Sequence, residues 1–239
     1  MKTIDYNELD IISYNHNSGS FAEIDKCIFN GEIYALKRFT NGKYLNGKRR
    51  KISELSGIND SHLITPKFWV KNEEGKNQYL TKFCYGDPLE FEKNTNVVTK
   101  LKHAKNLIEK MHSYKIIHGD LNISNLLFSG DEPFIIDFDN VSLNNSNVDI
   151  SSLNDYSADY IKRLGINKGL DVYLFNLLTY AILNETDYYR VRSNVLAKKY
   201  GVFDFKDGIK LCNLFSLEKG YSDSDYLIDM ISNEDVKSI

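Results

Sequence analysis

Residues 116 to 139 read IIHGDLNISNLLFSGDEPFIIDFD, with apolar runs on either side of the polar segment Ser129 to Pro133. This pattern predicts two short strands joined by a turn. Asp120 and Asn125 lie on the preceding loop, and Asp137 reaches the same end of the hairpin from the second strand. Two carboxylates and one carboxamide suit Mg²⁺, a hard cation that completes its shell with phosphate oxygens and water. One carboxylate would remain to act on a nucleophile.

The segments His118-Gly119-Asp120, Asn125 and Asp137-Phe138-Asp139 together resemble the catalytic and metal-binding loops of the protein-kinase-like superfamily. The common protein-kinase form has Arg at the position of Gly119. His-Gly-Asp is typical of divergent branches: the aminoglycoside and choline phosphotransferases, the RIO kinases and the small kinase of the tRNA threonylcarbamoyl-adenosine complex. The resemblance implies that Asn125 and Asp137 bind Mg²⁺ and that Asp120 accepts the proton of the attacking hydroxyl.

The same resemblance implies an α+β, two-lobed, kinase-like fold that forms one domain overall. Residues 1–84 would be an N-lobe, with a small antiparallel sheet and one helix that hold ATP. Residues 85–239 would be a mainly helical C-lobe that carries the catalytic loop and the metal site.

Near the start of the chain, residues 9 to 39 alternate short apolar runs with turns, which predicts a β-meander. The segment Asn17 to Ile24 resembles a kinase glycine-rich loop, and an ordinary hairpin turn is the alternative. Small residues allow backbone N–H groups to approach phosphates, and they stand here at Ser18, Gly19 and Ser20. Tyr34-Ala35-Leu36-Lys37 is similar to the kinase strand whose lysine binds the α- and β-phosphates. An exposed strand lysine is the alternative for Lys37.

A lysine of this kind has a carboxylate partner on the following helix in the kinase family. Glu54 is the sole acidic residue between Lys37 and Asp60, so the resemblance implies that Glu54 pairs with Lys37 in an active conformation. Residues 48 to 55 lack Pro and Gly, which predicts a helix that ends by Gly57. The basic run Lys48 to Lys51 is interpreted as a solvated helix face, with an acidic or RNA partner as the alternative.

Residues 63–70 and 78–84 read as two further strands around a polar turn. By resemblance, Thr81 would occupy the gatekeeper position, and the backbone of Lys82, Phe83 and Cys84 would receive adenine. A plain hairpin edge is the alternative.

Between residues 94 and 114 the apolar positions recur every three or four residues, which predicts a long helix. His118 is interpreted as a packing and hydrogen-bonding strut of the loop. Asp171 begins a strongly apolar segment and can cap its own helix; in the family it also bonds the backbone of the catalytic loop. Residues 140–155 stand where an activation segment would lie, and 185–239 are interpreted as three short helices.

Composition adds few constraints. The formal net charge of −3 over 239 residues argues against a protein that coats nucleic acid. The three cysteines are far apart and form no zinc motif, which favours a reducing compartment. Neither a signal peptide nor an apolar run of about 18 residues is recognised, so we expect a cytoplasmic protein, of the source organism or of a host, without a membrane partner.

These observations predict an enzyme that transfers the γ-phosphoryl group of ATP, with Mg²⁺, to a hydroxyl. A serine/threonine protein kinase is favoured because the chain is short after Asp137 and has the segment Leu170 to Tyr173. Asn122 stands where protein kinases carry Lys and aminoglycoside-type enzymes carry His. A small-molecule kinase is therefore an alternative. An ATP-binding pseudokinase is another, because the glycine-rich loop is degraded and Asp139 replaces the usual Gly.

Overall fold

The computed structural model describes residues 1–18, 22–40, 45, 47–71, 77–89, 96–144, 146, 157, 161–162, 164–183, 187–189, 191 and 226–230. They form a mixed α+β arrangement, as the sequence predicts. The chain divides into two units. The first unit comprises Met1–Tyr85 with Ile135–Asp139, and the second comprises Gly86–Phe134 with Asn140–Ile239.

A six-stranded mixed sheet dominates the first unit. Its strands are β1 (Lys2–Asp5), β2 (Asp10–Ser18), β3 (Ala22–Phe29), β4 (Glu32–Phe39), β5 (Pro66–Lys71) and β6 (Asn77–Lys82). Their order is β1-β5-β6-β4-β3-β2, and β1 pairs with β5 in parallel while the other neighbours are antiparallel. The predicted meander over residues 9–39 and the predicted pair over 63–84 are confirmed. The parallel strand β1 was not predicted.

The two faces of this sheet have separate apolar clusters. Because side chains alternate along a strand, Leu36 of β4 enters one cluster and Phe39 enters the other. The second cluster also contains Ile52 of the predicted helix, which is confirmed as α1 (Arg49–Leu55). The Trp69 indole N–H donates to Ser53 Oγ at 3.0 Å, which fastens α1 to the sheet. Lys37 lies on the same face of β4 as Phe39, so its side chain leaves the sheet on the face that carries the second cluster.

The second unit contains the long helix α2 (Asn96–Ser113) and the apolar helix α3 (Lys168–Leu183). All the apolar positions predicted to face inward on α2 are buried: Val97, Leu101, Ala104, Ile108 and Met111. Short strands complete the described part: β7 (Asp87–Pro88), β8 (Ile116–Ile117), β9 (Leu126–Ser129), β10 (Glu132–Ile135) and β11 (Ser142–Leu143). β9 and β10 are the predicted hairpin and form a sheet with β7, while β8 pairs with β11. The last residue of β10, Ile135, belongs to the first unit.

Some predicted features lie outside the described residues. They include Gly19 and Ser20 of the proposed glycine-rich loop, most of the expected activation segment, and most of residues 185–239; Ser18 is described only as the end of β2. The short helix α4 (Leu227–Met230) is the described helix of that last region. None of the helices that the structure describes has the length and apolar character needed to cross a membrane.

Candidate active site

Lys37 lies at the centre of a charged cluster in the first unit. Its ammonium Nζ is 2.5 Å from Asp137 Oδ1 and 2.7 Å from Asp139 Oδ1. Only 14% of the Lys37 side chain is exposed. Tyr79 stands directly opposite Lys37 on β6, and its hydroxyl donates to Asp139 Oδ1 at 3.4 Å. Lys37 is therefore not an exposed strand lysine. We call Lys37, Tyr79, Asp137 and Asp139 the Lys37 cluster.

The backbone after β10 brings both carboxylates to this position. Ile135 N donates to His62 O and Ile135 O accepts from Ile64 N, each at 2.9 Å, which fixes the end of the strand. Asp137 then adopts a left-handed conformation with φ of 68°. That conformation costs roughly 1–2 kcal/mol in most residues and less in Asp and Asn. Phe138, which is 1% exposed, anchors the following 3₁₀ turn.

Two carboxylates share the Lys37 ammonium in this cluster. Burial alone would lower the pKa of Lys37, but the carboxylates of Asp137 and Asp139 outweigh it and raise that pKa, so the ammonium stays charged. Although 41% of the Asp137 side chain meets solvent, local desolvation and the neighbouring Asp139 carboxylate raise the pKa of Asp137 to about 7, against the opposing effect of Lys37. The Asp137 carboxylate is thus protonated more readily than an ordinary aspartate.

Glu54 does not lie where the resemblance to kinases suggested. Both Glu54 and Lys37 are described, and the structure does not pair them; Glu54 Oε1 accepts from Arg50 Nε at 2.9 Å one turn earlier on α1. Helix α1 buries Ile52 and Leu55. Since successive residues turn by about 100°, Glu54 falls on the outer face. The acids that contact Lys37 come instead from a segment 100 and 102 residues further along the chain.

A second cluster forms around the loop His118 to Asn125 in the second unit, which we call the Asp120 loop. The fully buried Asp171 of α3 accepts hydrogen bonds from Gly119 N at 2.8 Å and His118 N at 2.9 Å. His112 Nε2 of α2 lies 2.9 Å from the same carboxylate. The expected bond from Asp171 to the loop backbone is confirmed. The cap of α3, however, is Asn167, whose Oδ1 accepts from Gly169 N at 2.8 Å.

The backbone conformation of the Asp120 loop favours glycine at position 119. Its φ is 75°, and a Cβ there would meet only Leu170 Cδ2, at 3.6 Å. Glycine is therefore favoured by backbone conformation, not by lack of space.

Asp120 and Asn125 converge as predicted. Asn125 Nδ2 donates to Asp120 O at 2.9 Å and lies 3.4 Å from Asp120 Oδ2. Asp120 N donates to Nδ1 of the buried His118 at 3.3 Å, which confirms the strut role of that histidine. Asn122 is used within the loop, because Oδ1 accepts from Ser124 N and Nδ2 donates to Asp120 O.

The segment Thr81 to Cys84 is half-buried at the end of β6. The Lys82 ammonium pairs with Glu32 and lies 4.6 Å from the centre of the Tyr34 ring. Phe83 N donates to Ile33 O at 3.3 Å. The Phe83 amide is therefore already used, and adenine would have to bind to other backbone groups of Lys82, Phe83 and Cys84. This role in adenine binding stays a prediction.

The donor set for a metal is small. Among the described ranges, no group of three or more His, Cys, Asp or Glu side chains could hold a metal ion. In the first unit Asp137 offers a partly exposed carboxylate, and in the second unit the Asn125 amide oxygen is a hard donor. Mg²⁺ keeps several waters and is often bound by one or two carboxylates plus substrate phosphates. The Asp137 carboxylate fits a cation that binds together with a nucleotide, and not one held by protein alone.

Comparison with known proteins adds no relatives. A scan against protein-family models gives no match for this chain, and a search of curated proteins gives none. The two clusters are therefore the features that bear on function. The sequence predicted roles for six of their members, Lys37, Asp120, Asn125, Asp137, His118 and Asp171, and assigned no site role to Tyr79 and Asp139. The departure of Asp139 from the usual Gly was the available signal.

Proposed function

We propose that this protein is an ATP-dependent phosphotransferase with a two-lobed, kinase-like fold. The contact between Lys37 and Asp137 carries the proposal. Separate motifs, 100 residues apart, suggested Lys37 as a phosphate ligand and Asp137 as a metal ligand, and their side chains meet at 2.5 Å. An ammonium and a carboxylate held together can serve adjacent parts of one Mg²⁺-bound triphosphate.

In this proposal Lys37 binds the α- and β-phosphates, and Asn125 and Asp137 hold Mg²⁺. The cation, when bound, neutralises charge that develops on the transferred phosphoryl group. Asp120 orients the acceptor hydroxyl and takes its proton, and Asp171 positions the backbone beside Asp120. Ser18, Gly19 and Ser20 would cradle phosphates, and the Thr81–Cys84 backbone would bind adenine. Alignment and charge neutralisation would supply most of the rate.

For the acceptor we propose a serine or threonine hydroxyl of a protein, including the enzyme itself. The segment Leu170 to Tyr173, which resembles the start of the kinase central helix, supports this acceptor. Asn122 is a departure from that pattern, because its side chain is neutral and is bonded within the Asp120 loop. Kinases of the common type instead carry Lys there.

Incubation with γ-labelled ATP and Mg²⁺ tests the proposal. The protein is incubated alone, with cell lysate and with aminoglycosides, and Lys37→Met is carried in parallel as the matched control. Label on protein that the variant fails to transfer supports the protein kinase. Label on the small molecules redirects the proposal to a small-molecule kinase. ATP binding without transfer indicates a pseudokinase, and absence of both refutes the proposed function.

A further inference from the structure

We propose that Asp139, and not Glu54, is the acid that positions Lys37 for the nucleotide phosphates. The inference rests on the proposed function and assigns a positioning residue within it. Asp139 stands where kinases of the common type carry a glycine, so the resemblance supplies no role for it.

Asp139 forms an ion pair with Lys37 that a hydrogen bond from Tyr79 supports. Its Oδ1 lies 2.7 Å from Lys37 Nζ and accepts a hydrogen bond from the Tyr79 hydroxyl at 3.4 Å. Lys37 and Tyr79 are directly opposed on adjacent antiparallel strands, so their side chains leave the sheet on the same face. Both donors therefore converge on one carboxylate oxygen from a rigid sheet.

Neighbouring aromatic rings restrict Tyr79. Its ring centre lies 5.6 Å from that of Phe39 and 6.1 Å from that of Trp69. Lys37 Nζ also lies 5.6 Å from the Phe39 ring centre. The side chains that hold Asp139 are thus themselves packed, as precise positioning requires.

The two acids that contact Lys37 differ in solvent exposure. The Asp139 side chain is 4% exposed, whereas that of Asp137 is 41% exposed. A buried carboxylate that loses its partner is strongly destabilised, because water cannot replace the partner. Asp137 can therefore leave Lys37 for a cation, while Asp139 keeps the ammonium.

The different roles of Asp137 and Asp139 determine how the three N–H groups of the Lys37 ammonium are used. An ammonium has three N–H donors, of which one serves Asp139 and one serves Asp137. Transfer of Asp137 to Mg²⁺ would free the second donor, leaving two N–H groups for phosphate oxygens. Glu54 is not needed in this scheme, since its carboxylate is paired with Arg50.

Acetic anhydride labelling of lysines, read by mass spectrometry, tests the pairing without nucleotide. We expect Asp139→Asn to raise labelling of Lys37 several-fold and Glu54→Gln to leave it unchanged. Asp229→Asn is the matched control, because Asp229 Oδ2 lies 2.7 Å from Lys105 Nζ and its loss should raise labelling of Lys105 alone.

ATP affinity by calorimetry provides the second readout. Asp139→Asn should weaken binding about tenfold, the usual worth of a hydrogen bond to a charged group, and Asp139→Glu should restore part of it. Unchanged labelling in Asp139→Asn, or increased labelling with weaker binding in Glu54→Gln, would overturn the proposal.

If Asp139→Asn does not fold, labelling of Lys37 in Tyr79→Phe and in Glu54→Gln shows which acid positions the lysine. Greater labelling of Lys37 in Tyr79→Phe alone supports Asp139, and greater labelling in Glu54→Gln alone overturns it. Because labelling requires no ATP, wild-type protein that neither binds ATP nor transfers phosphate would refute the proposed function, while the labelling pattern would still identify the partner of Lys37.

Discussion

Asp137 combines a left-handed backbone, a partly exposed carboxylate and a raised pKa. Backbone strain at a single polar residue is a common feature of functional sites. Lys37 limits the cost of the charge at Asp137, and a divalent cation would limit it further. The residue is therefore expected to respond both to Mg²⁺ and to pH.

Asp137→Asn should weaken the Mg²⁺-dependent part of ATP binding. The amide removes a negative charge from the proposed metal shell, and we expect an affinity loss of about tenfold or more. Calorimetry with and without Mg²⁺ measures the effect. Equal affinity of wild type and variant in Mg²⁺ would count against the metal role.

The stability of the folded protein should also depend on Asp137 in a defined direction. Its pKa is about 7 when folded and near 3.8 when unfolded, so the folded state binds more protons between these values. The free energy of unfolding therefore decreases as pH rises through this range, and the folded protein becomes less stable. Asp137→Asn imitates the protonated acid, so its Tm should exceed that of wild type by a margin that grows toward about pH 8, to a few degrees. Parallel Tm curves for the two proteins would disprove the shift.

At the scale of elements, the periodic signals predicted most of the described structure. The meander β2 to β4, the hairpin of β9 and β10 and the helix α2 all follow from local alternation or from a repeat of three to four residues. Strand β1 was missed because its parallel partner β5 lies about 60 residues away. The contact of Lys37 with Asp139 was not predicted for a related reason, since a search for an acid close to Lys37 in the sequence cannot detect a residue 102 positions away.

Helix α3 and the Asp120 loop offer a prediction about Asp171. Asp171→Ala would leave the buried N–H groups of His118 and Gly119 without an acceptor. At 1–3 kcal/mol for each group, we expect the free energy of unfolding to fall by about 3 kcal/mol or more. Asn167→Ala is the control, because it removes a cap of the same helix without touching the loop and should cost about 1 kcal/mol. Urea unfolding of both variants gives the comparison, and equal losses would mean that Asp171 serves the helix alone.

For the whole molecule, short motifs predicted residues that the structure gathers in two clusters, but they did not predict how those residues are paired. Lys37, Asp120, Asn125 and Asp137 were selected because each lies in a short motif with a fixed spacing, and their roles stay predictions. The positions of Tyr79 and Asp139 depend on strand register and on a turn of the backbone, which composition and spacing do not specify.

Binding of ATP with Mg²⁺ should stabilise the whole protein. At about 100 times the dissociation constant, linkage adds about 2.7 kcal/mol, which raises Tm by about 5–10 °C for a chain of this length. Scanning fluorimetry with AMP and Mg²⁺ is the control, because AMP lacks the β- and γ-phosphates. A Tm that ATP and AMP raise equally would contradict a triphosphate site.

The turnover of Asp120→Asn measures whether Asp120 is the base of a phosphoryl transfer. If Asp120 accepts the proton of the acceptor hydroxyl, its carboxylate acts mainly in the transition state. The substitution keeps the size of the side chain and removes its charge. Phosphoryl transfer from γ-labelled ATP should then fall by about 10² or more in kcat, while Tm and ATP affinity change little. Transfer at the wild-type rate by a folded Asp120→Asn protein would show that Asp120 is not the base.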